Sequence, residues 1–171
     1  GFIRNEQPNF YLRHFHARNA WWEKDLDNQL TVRLGGSLSW KNTCFSFHLQ
    51  NIQKLAYFAE TLTPSDFTNN VQHYTHSIGV RQNSGSVQLL TASLRQDFHL
   101  GILHWENELI YQATTDKDSY PLPAFSVWTN LYLKFRLARV LQTELGADMR
   151  YFTKYYAPAY SPIMGQYAIQ D

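Results

Sequence analysis

The feature that most constrains this chain is the strict alternation of side chains over residues 141–151. One set of alternate positions is Leu141, Thr143, Leu145, Ala147, Met149 and Tyr151, and the set between them is Gln142, Glu144, Gly146, Asp148 and Arg150. A β-strand turns successive side chains to opposite faces, whereas a helix returns to the same face only after three or four residues. The pattern therefore predicts a strand with one mainly apolar face and one charged face.

The same two-residue period recurs along the rest of the chain. It predicts strands over residues 9–22, 30–40, 44–58, 80–98, 103–111, 125–135 and 141–151, with the start of an eighth strand at 166–171. No helical period is sustained, and no stretch reaches the roughly 18 apolar residues of a membrane-spanning helix. No linker divides the chain, so the sequence predicts a single all-β unit over residues 1–171.

Charge and cysteine content exclude some classes of protein. The net charge is +1, which provides no basic field for binding nucleic acid. Cys44 is the single cysteine, so an internal disulfide framework is excluded. Aromatic residues make up 16% of the chain, which is high for a globular domain.

The predicted connections alternate in length. Short turns are predicted at 41–43, 99–101 and 137–139, a connection of moderate length at 23–28, and long connections at 59–79, 114–123 and 153–165. In an up-and-down barrel every second connection lies at the same end, and outer-membrane barrels have short turns at one end and long loops at the other. A Greek-key sandwich gives no reason for such sorting.

Aromatic residues of the apolar face fall near both ends of the predicted strands. Beside the short turns lie Trp40, Phe45, Phe98, Trp105 and Phe135, and beside the long connections lie Trp21, Tyr57, Tyr111, Phe125 and Tyr151. Two aromatic girdles around an aliphatic band are typical of membrane barrels at the two bilayer interfaces. The pattern favours an antiparallel up-and-down transmembrane β-barrel, with a soluble β-sandwich or lipocalin-like binding module as the alternative.

The opposite face carries charges of both signs. The residues that we expect to line a barrel lumen are Arg33, Arg95, Glu106, Glu108, Lys134, Glu144, Asp148 and Arg150. In a soluble sandwich the same residues would be exposed to water, so this face alone does not separate the two folds. The mixture of signs predicts no strong ion selectivity.

Several stretches resemble the Bacteroidetes putative porin family, a family of outer-membrane β-barrels. They are QPNFYLRHFHARNAWW, SGSVQLLTASLRQDFHLG, YPLPAFSVWTNLYLKFRL and, most specifically, LGADMRYFTKYYAPAYSPIMGQYAIQD. The resemblance implies a location in the outer membrane of a Gram-negative bacterium and a porin-like role. Members of the family are longer, and an open sheet edge is unfavourable in lipid. We therefore expect this chain to be a fragment of about seven to eight strands from a longer barrel.

Few residues form patterns typical of catalysis or metal binding. His14 and His16 have the spacing of a two-histidine metal pair, but polar residues facing a lumen explain them better. Glu106 and Glu108 share a face, as acid–base pairs do, although charge balance with arginines such as Arg95 is the simpler explanation. No nucleophile motif supports the weaker alternative of an outer-membrane hydrolase. We expect no enzyme activity, no cofactor and no metal.

The aromatic segment after the last predicted strand is an expected external loop. Its tyrosines Tyr155, Tyr156 and Tyr160 either stack on a sugar or partner protein, or pack on the barrel rim as structure. The expected function is passive passage of small polar solutes through an outer-membrane barrel, or docking to other outer-membrane proteins. The expected partners are the lipid bilayer, small polar solutes and other outer-membrane proteins, and not nucleic acid.

Overall fold

The computed structural model describes residues 1–17, 20–68, 71–162 and 164–170, and its regular structure is almost entirely antiparallel β-sheet. The elements in chain order are β1 (Phe2–Glu6), α1 (Phe10–Arg13), β2 (His14–Ala17), β3 (Ala20–Glu23), β4 (Gln29–Trp40), β5 (Thr43–Gln53), β6 (Ala56–Thr68), β7 (Val71–Gln82), β8 (Ser86–Leu100), β9 (Leu103–Thr114), β10 (Phe125–Leu137), β11 (Leu141–Phe152), β12 (Ala159–Ser161) and β13 (Gln166–Ala168). The described residues contain no helix of the length and apolar character needed to cross a membrane.

Seven strands form the main sheet in the order β1-β4-β5-β8-β9-β10-β11. Neighbouring strands are antiparallel and follow one another up and down, while the three pairs β2-β3, β6-β7 and β12-β13 form separate hairpins. Within the described residues, β1 and β11 are the two edges of the main sheet, which is therefore open. The predicted all-β, antiparallel up-and-down fold is confirmed, as a segment of a barrel rather than a closed one.

The three predicted tight turns lie together at one end of the main sheet. Lys41 has a φ of 52°, Gly101 has a φ of 61°, and Ala138 and Arg139 have φ values of 49° and 62°. Left-handed backbone of this kind suits short hairpin turns, because its twist matches that of the flanking strands. The long connections lie at the other end, as the alternation of lengths predicts.

The predicted first strand over residues 9–22 is wrong. The Asn9 side chain accepts a hydrogen bond from the backbone N–H of Tyr11 (3.1 Å), which begins the single turn of α1. β2 and β3 then form a small hairpin outside the main sheet. The strand that pairs with β4 is β1, which has no alternating pattern and could not be found by periodicity.

The strand boundaries around residues 53–86 also differ from the prediction. The predicted strand 44–58 is two strands, because Lys54 adopts a φ of 56° and redirects the chain between β5 and β6. The predicted connection 59–79 is mostly the β6-β7 hairpin, and the predicted strand 80–98 begins only at Ser86. The Gly85 N–H donates to Asn83 Oδ1 (2.9 Å) in the turn that separates β7 from β8.

The strand register collects apolar side chains on one side of the main sheet, the apolar face. Its rows across neighbouring strands are Leu34, Leu49, Leu90 and Ala113; Leu38, Phe45, Leu94, Leu109, Val127 and Tyr151; Phe98, Trp105, Leu131 and Ala147; and Leu100, Leu103, Leu133 and Leu145. Many of these side chains are exposed, for example Leu38 by 71% and Leu145 by 65%. No second layer of described residues covers this face, so the core that a sandwich would form there is not found.

The aromatic girdles are placed on the apolar face with two exceptions. Register puts all five aromatic residues predicted near the tight turns on this face, together with Tyr111, Phe125 and Tyr151 near the other end. Trp21 belongs instead to the β2-β3 hairpin. Tyr57 lies in β6 and packs on a buried cluster at the opposite side of the sheet. Both assignments failed because each residue lies in a new strand, where the alternation of faces no longer follows from the preceding strand.

The three separate hairpins meet beyond the end of the main sheet that is opposite the tight turns, and we call them the cap. The backbone of Ile169, just after β13, bonds to Phe58 and Glu60 of β6, so the predicted eighth strand joins the cap rather than the main sheet. From the other side, Trp22 of β3 is buried and its ring lies 6.0 Å from that of Phe58. The β6-β7 hairpin therefore lies between the other two.

A small buried cluster joins the cap to the polar side of the main sheet. Ile52, Leu55 and Val87 form it, and Tyr57 and Tyr120 pack against it. Tyr120 belongs to the loop 115–124, so this loop folds inward over the sheet instead of projecting away. Ser119 of the same loop is also buried, and its hydroxyl donates to the Tyr57 hydroxyl (3.3 Å).

Successive tight turns are displaced along the strands in a constant direction. Thr43, the first residue of β5, pairs with Gln96, four residues before β8 ends at Leu100. Leu103, the first residue of β9, pairs with Leu133, four residues before β10 ends at Leu137. A sheet that closes into a barrel of tilted strands requires a stagger of this kind.

Candidate functional site

The polar side of the main sheet, the polar face, contains all eight residues predicted to line a lumen. Register places Arg95, Glu108 and Arg150 in one cross-strand row, Glu106 and Asp148 in the next, and Lys134 and Glu144 in a third. Arg33 lies on the same face at the other end of the sheet. Four of these side chains are basic and four are acidic. That this face lines a lumen remains a prediction.

A groove with a volume of about 420 Å³ lies on the polar face, beside the β11 edge of the main sheet. Its lining includes Glu106, Asn130, Tyr132, Glu144 and Asp148, which come from three adjacent strands. Glu106 accepts hydrogen bonds from the Tyr132 hydroxyl (3.0 Å) and the Asn130 amide (3.5 Å). The carboxylate is thus held by neutral donors, and its charge faces the groove without a cation bonded to it in the described residues.

Tyr132 is positioned by a stack of rings and by a glycine. Its ring lies parallel to that of His104, with centroids 4.9 Å apart and an interplanar angle of 9°. On the next strand Gly146 is the direct partner of Tyr132, and a Cβ at Gly146 would clash with Tyr132 Cβ. A glycine within a strand often marks a site where another backbone approaches closely.

Three ion pairs of the described residues lie on the polar face. Lys134 Nζ and Glu144 Oε1 are 2.6 Å apart across β10 and β11, Arg95 Nε lies 3.7 Å from Asp97 Oδ1 on its own strand, and Arg4 Nε lies 3.0 Å from Glu6 Oε2 in β1. Arg95 also stands directly opposite Glu108, so it has acidic neighbours on two sides, and its ion pair is with Asp97. Exposed pairs of this kind each contribute little to stability.

At the rim, Asp116 holds the inward-folded loop. Its Oδ1 accepts the backbone N–H groups of Asp118 (3.1 Å) and Ser119 (3.0 Å), and its Oδ2 accepts the Asn83 amide (2.7 Å). Hydrogen bonding to the carboxylate, above all by the Ser119 side chain, lowers the pKa of Asp116 despite an opposing effect of burial. The charged form of Asp116 therefore ties the loop to Asn83, next to the start of β8.

The predicted recognition tyrosines lie outside the main sheet, after β11. Tyr156 is 85% exposed, and Tyr160 is exposed and pairs edge to face with Tyr167 across the β12-β13 hairpin. Tyr155 is half-buried beside the ring of Phe152. Tyr156 and Tyr160 are thus exposed, whereas Tyr155 packs against Phe152. The role of the three tyrosines in recognition remains a prediction.

His14 and His16 lie in the cap hairpin and not on the polar face, so the expectation that they face a lumen is wrong. His14 Nδ1 lies 3.6 Å from Glu23 Oε1, and His16 stacks on Trp21. The described residues contain no group of three or more His, Cys, Asp or Glu side chains arranged to hold a metal ion.

Asn130, Tyr132 and Gly146 are parts of the groove that the sequence did not identify as site residues. Their position on the polar face follows from the strand pattern alone. Their mutual contacts depend on the pairing of β10 with β11, and a single sequence shows that pairing only through the length of the turn at 138–140.

An open antiparallel sheet with one apolar and one charged face, short turns at one end and long hairpins at the other, is the arrangement of β-barrel pore proteins. The chain belongs to the putative porin family: the family model described as "Putative porin" matches residues 1–171. The predicted family resemblance is thereby confirmed. No curated protein and no solved structure shows significant similarity to the chain.

Proposed function

We propose that the protein forms an outer-membrane β-barrel of a Gram-negative bacterium through which small polar solutes pass passively along the polar face. Membership of the putative porin family supports a porin-like function at a general level. One observation supports the passage of polar solutes through a membrane barrel: the same strands have an exposed apolar face on one side and a charged face on the other. A sheet with lipid on one side and water on the other makes both faces favourable.

The polar face and its groove determine the selectivity that we expect for solutes. Carboxylates and basic groups are present in equal number among the eight predicted lining residues, so the whole face favours neither cations nor anions strongly. No side chain is assigned a catalytic role, and we propose no enzyme activity and no cofactor. Solutes are selected by size and by hydrogen bonding to groups such as Tyr132 and Asn130.

Conductance of the full-length protein in a planar lipid bilayer tests the proposal. We expect stepwise conductance with weak ion selectivity for the natural protein. Replacing Glu106 and Asp148 by lysine should shift the selectivity towards anions, because both residues line the groove on the polar face. Asp66→Lys on the β6-β7 hairpin is the matched charge control and should leave selectivity unchanged. A protein that is a stable monomer without detergent, or that never conducts, would contradict the proposal.

Docking to other outer-membrane proteins is a second candidate function. It is supported by the exposure of Tyr156, in the connection after β11, and of Tyr160, in the β12-β13 hairpin, because tyrosine is enriched at protein interfaces. Tyr156→Ala and Tyr160→Ala should remove co-purifying membrane proteins after cross-linking, while Tyr155→Ala should instead lower stability. Unchanged cross-links in the first two variants would rule out this role.

A further inference from the structure

The groove on the polar face has one aromatic wall, the ring of Tyr132. The direct cross-strand partners of Tyr132 are His104 on β9 and Gly146 on β11. The His104 ring covers one face of the Tyr132 ring, and the 4.9 Å between the two centroids is about the spacing of neighbouring strands. Because the two rings are nearly parallel, the second face of Tyr132 is turned away from β9, towards β11.

The second face of the Tyr132 ring is accessible from the groove. Gly146 has no side chain to cover it, and no ring of the described residues other than His104 stacks on Tyr132. The Tyr132 hydroxyl donates to Glu106 Oε1 (3.0 Å), which holds the ring in its orientation. The groove therefore contains a flat aromatic surface that is fixed from behind by His104 and from its tip by Glu106.

A row of hydrogen-bonding groups lies directly beside this aromatic surface. Register places Glu106, Asn130 and Asp148 side by side across β9, β10 and β11, in the row next to that of Tyr132. All three side chains line the groove. Carboxylates accept hydrogen bonds, and an amide both donates and accepts them. A ligand that stacks on Tyr132 can therefore form hydrogen bonds along its edge.

A second aromatic residue lies beyond this row. Trp128 is on the same face of β10, two residues from Asn130, and is half-buried. Four strand steps separate it from Tyr132, a distance of about 13 Å. The row of hydrogen-bonding groups thus lies between two aromatic side chains, which favours a ligand longer than a single ring.

We propose that this groove binds a neutral sugar, with one pyranose ring stacked on the free face of Tyr132 and its hydroxyl groups hydrogen-bonded to Glu106, Asn130 and Asp148. The inference rests on the proposed function, because it names the class of solute that binds along the passage. A pyranose ring has a face of C–H bonds, which packs on the electron-rich face of an aromatic ring, and a rim of hydroxyls. The groove's volume of about 420 Å³ lies within the roughly 300–1,000 Å³ of small-molecule sites.

The charges of the lining favour a neutral ligand. The carboxylates of Glu106, Glu144 and Asp148 repel anionic solutes, and the neighbouring Lys134 is already paired with Glu144 at 2.6 Å. Glu106 in turn accepts hydrogen bonds from two neutral donors, the Tyr132 hydroxyl and the Asn130 amide. Neutral hydroxyl groups therefore match the donors that this carboxylate already binds.

Ion current through the full-length protein in a planar lipid bilayer, recorded during titration with cellobiose, tests the site. Cellobiose is a neutral disaccharide whose rings carry axial C–H bonds, and it should reduce the current of the natural protein until the effect saturates. Tyr132→Leu should raise the half-blocking concentration about tenfold, because one stacking contact is lost. Tyr132→Phe keeps the ring and should remain close to the natural protein.

Phe135→Leu is the matched control, since Phe135 lies on the same strand but on the apolar face and should leave the block unchanged. Asn130→Leu provides a second variant that keeps the ring and a similar side-chain volume. It should raise the half-blocking concentration about fivefold, because hydrogen bonds to the sugar are lost. Equal block in the natural protein and Tyr132→Leu, or block by choline chloride but not by cellobiose, would overturn the inference.

Saturation-transfer NMR of cellobiose with the full-length protein in detergent measures binding without conduction, and so separates the two proposals. A protein that conducts but neither binds cellobiose nor is blocked by it leaves the proposed function intact and overturns the inference. A protein that never conducts, yet binds cellobiose in a manner that Tyr132→Leu weakens, contradicts the proposed function and supports the sugar site.

Discussion

Tyr132 and Gly146 face each other directly across β10 and β11, and Leu131 O and Tyr132 Cβ occupy the space that a Cβ on the glycine would need. A close approach is repeated in β4 and β5, where a Cβ on Gly35 would meet the ring of its partner His48. Both glycines lie on the polar face, and each lets the neighbouring strand approach closely. The shape of the groove on the polar face thus depends on Gly146, a residue without a side chain.

Gly146→Ala should destabilise the barrel by about 1–3 kcal/mol, since the new Cβ would clash with Leu131 O and Tyr132 Cβ. The unfolding midpoint in urea, measured in detergent or lipid vesicles, reports the change. Gly79→Ala is the control, because nothing lies within 4 Å of its Cβ position. Equal midpoints for the two variants would show that β10 does not approach Gly146 this closely.

Leu131→Arg should strongly impair folding into lipid vesicles. Leu131 is the middle residue of β10 and lies on the apolar face, where an arginine at the bilayer midplane costs about 2–4 kcal/mol. Asn130→Arg, one residue away on the polar face, should fold normally because its side chain faces Glu106 and Asp148. If both variants fold equally well in vesicles, the apolar face does not contact lipid.

Lys134→Glu should lower stability by about 0.2–1 kcal/mol, because it places two carboxylates at a directly paired position. Both side chains are substantially exposed, by 41% and 52%, which keeps the effect small. The exchange Lys134→Glu with Glu144→Lys should restore most of the loss in a double-mutant cycle. A swap no better than the single variant would mean that the two groups do not interact in solution.

The loop 115–124 should detach at low pH. Hydrogen bonding lowers the pKa of Asp116 below its ordinary value of 3.8. Its stabilising contribution is therefore complete above that value and is lost as the pH falls through the lower pKa of the folded state. Hydrogen-exchange protection of the Ser119 amide should fall over this acidic range, and Asp116→Asn should remove the pH dependence. Protection that stays constant with acid would mean that the carboxylate does not hold the loop.

Strand faces could be predicted from the sequence because alternation is a local property. Lys134 and Leu133 were assigned to opposite sides from β10 alone, and register confirms that assignment. The long connections could not be predicted in the same way. The connection 59–79 has the Thr-, Asn- and Ser-rich composition typical of loops, yet β6 and β7 pair along most of it.

The end of a strand accounts for the error in the girdle, and register accounts for the contacts missed in the groove. Tyr57 has the parity of an apolar-face residue only if β5 continues through Lys54, and the left-handed backbone at Lys54 ends that continuity. The pairing of Tyr132 with Gly146 depends on register, which the sequence does not state. Contacts between strands were therefore unpredictable, although each strand's own pattern was clear.

The cap lies beyond one end of the main sheet, and this location determines where such a chain can change length during evolution. Within β10, removing one residue would exchange the faces of all residues on one side of the deletion, bringing Lys134 to the apolar face and Leu133 to the polar one. Insertions and deletions within strands must therefore come in pairs, whereas the cap hairpins can grow or shrink by any number. Homologues should vary most in length between β5 and β8 and after β11, and hardly at all across the tight turns.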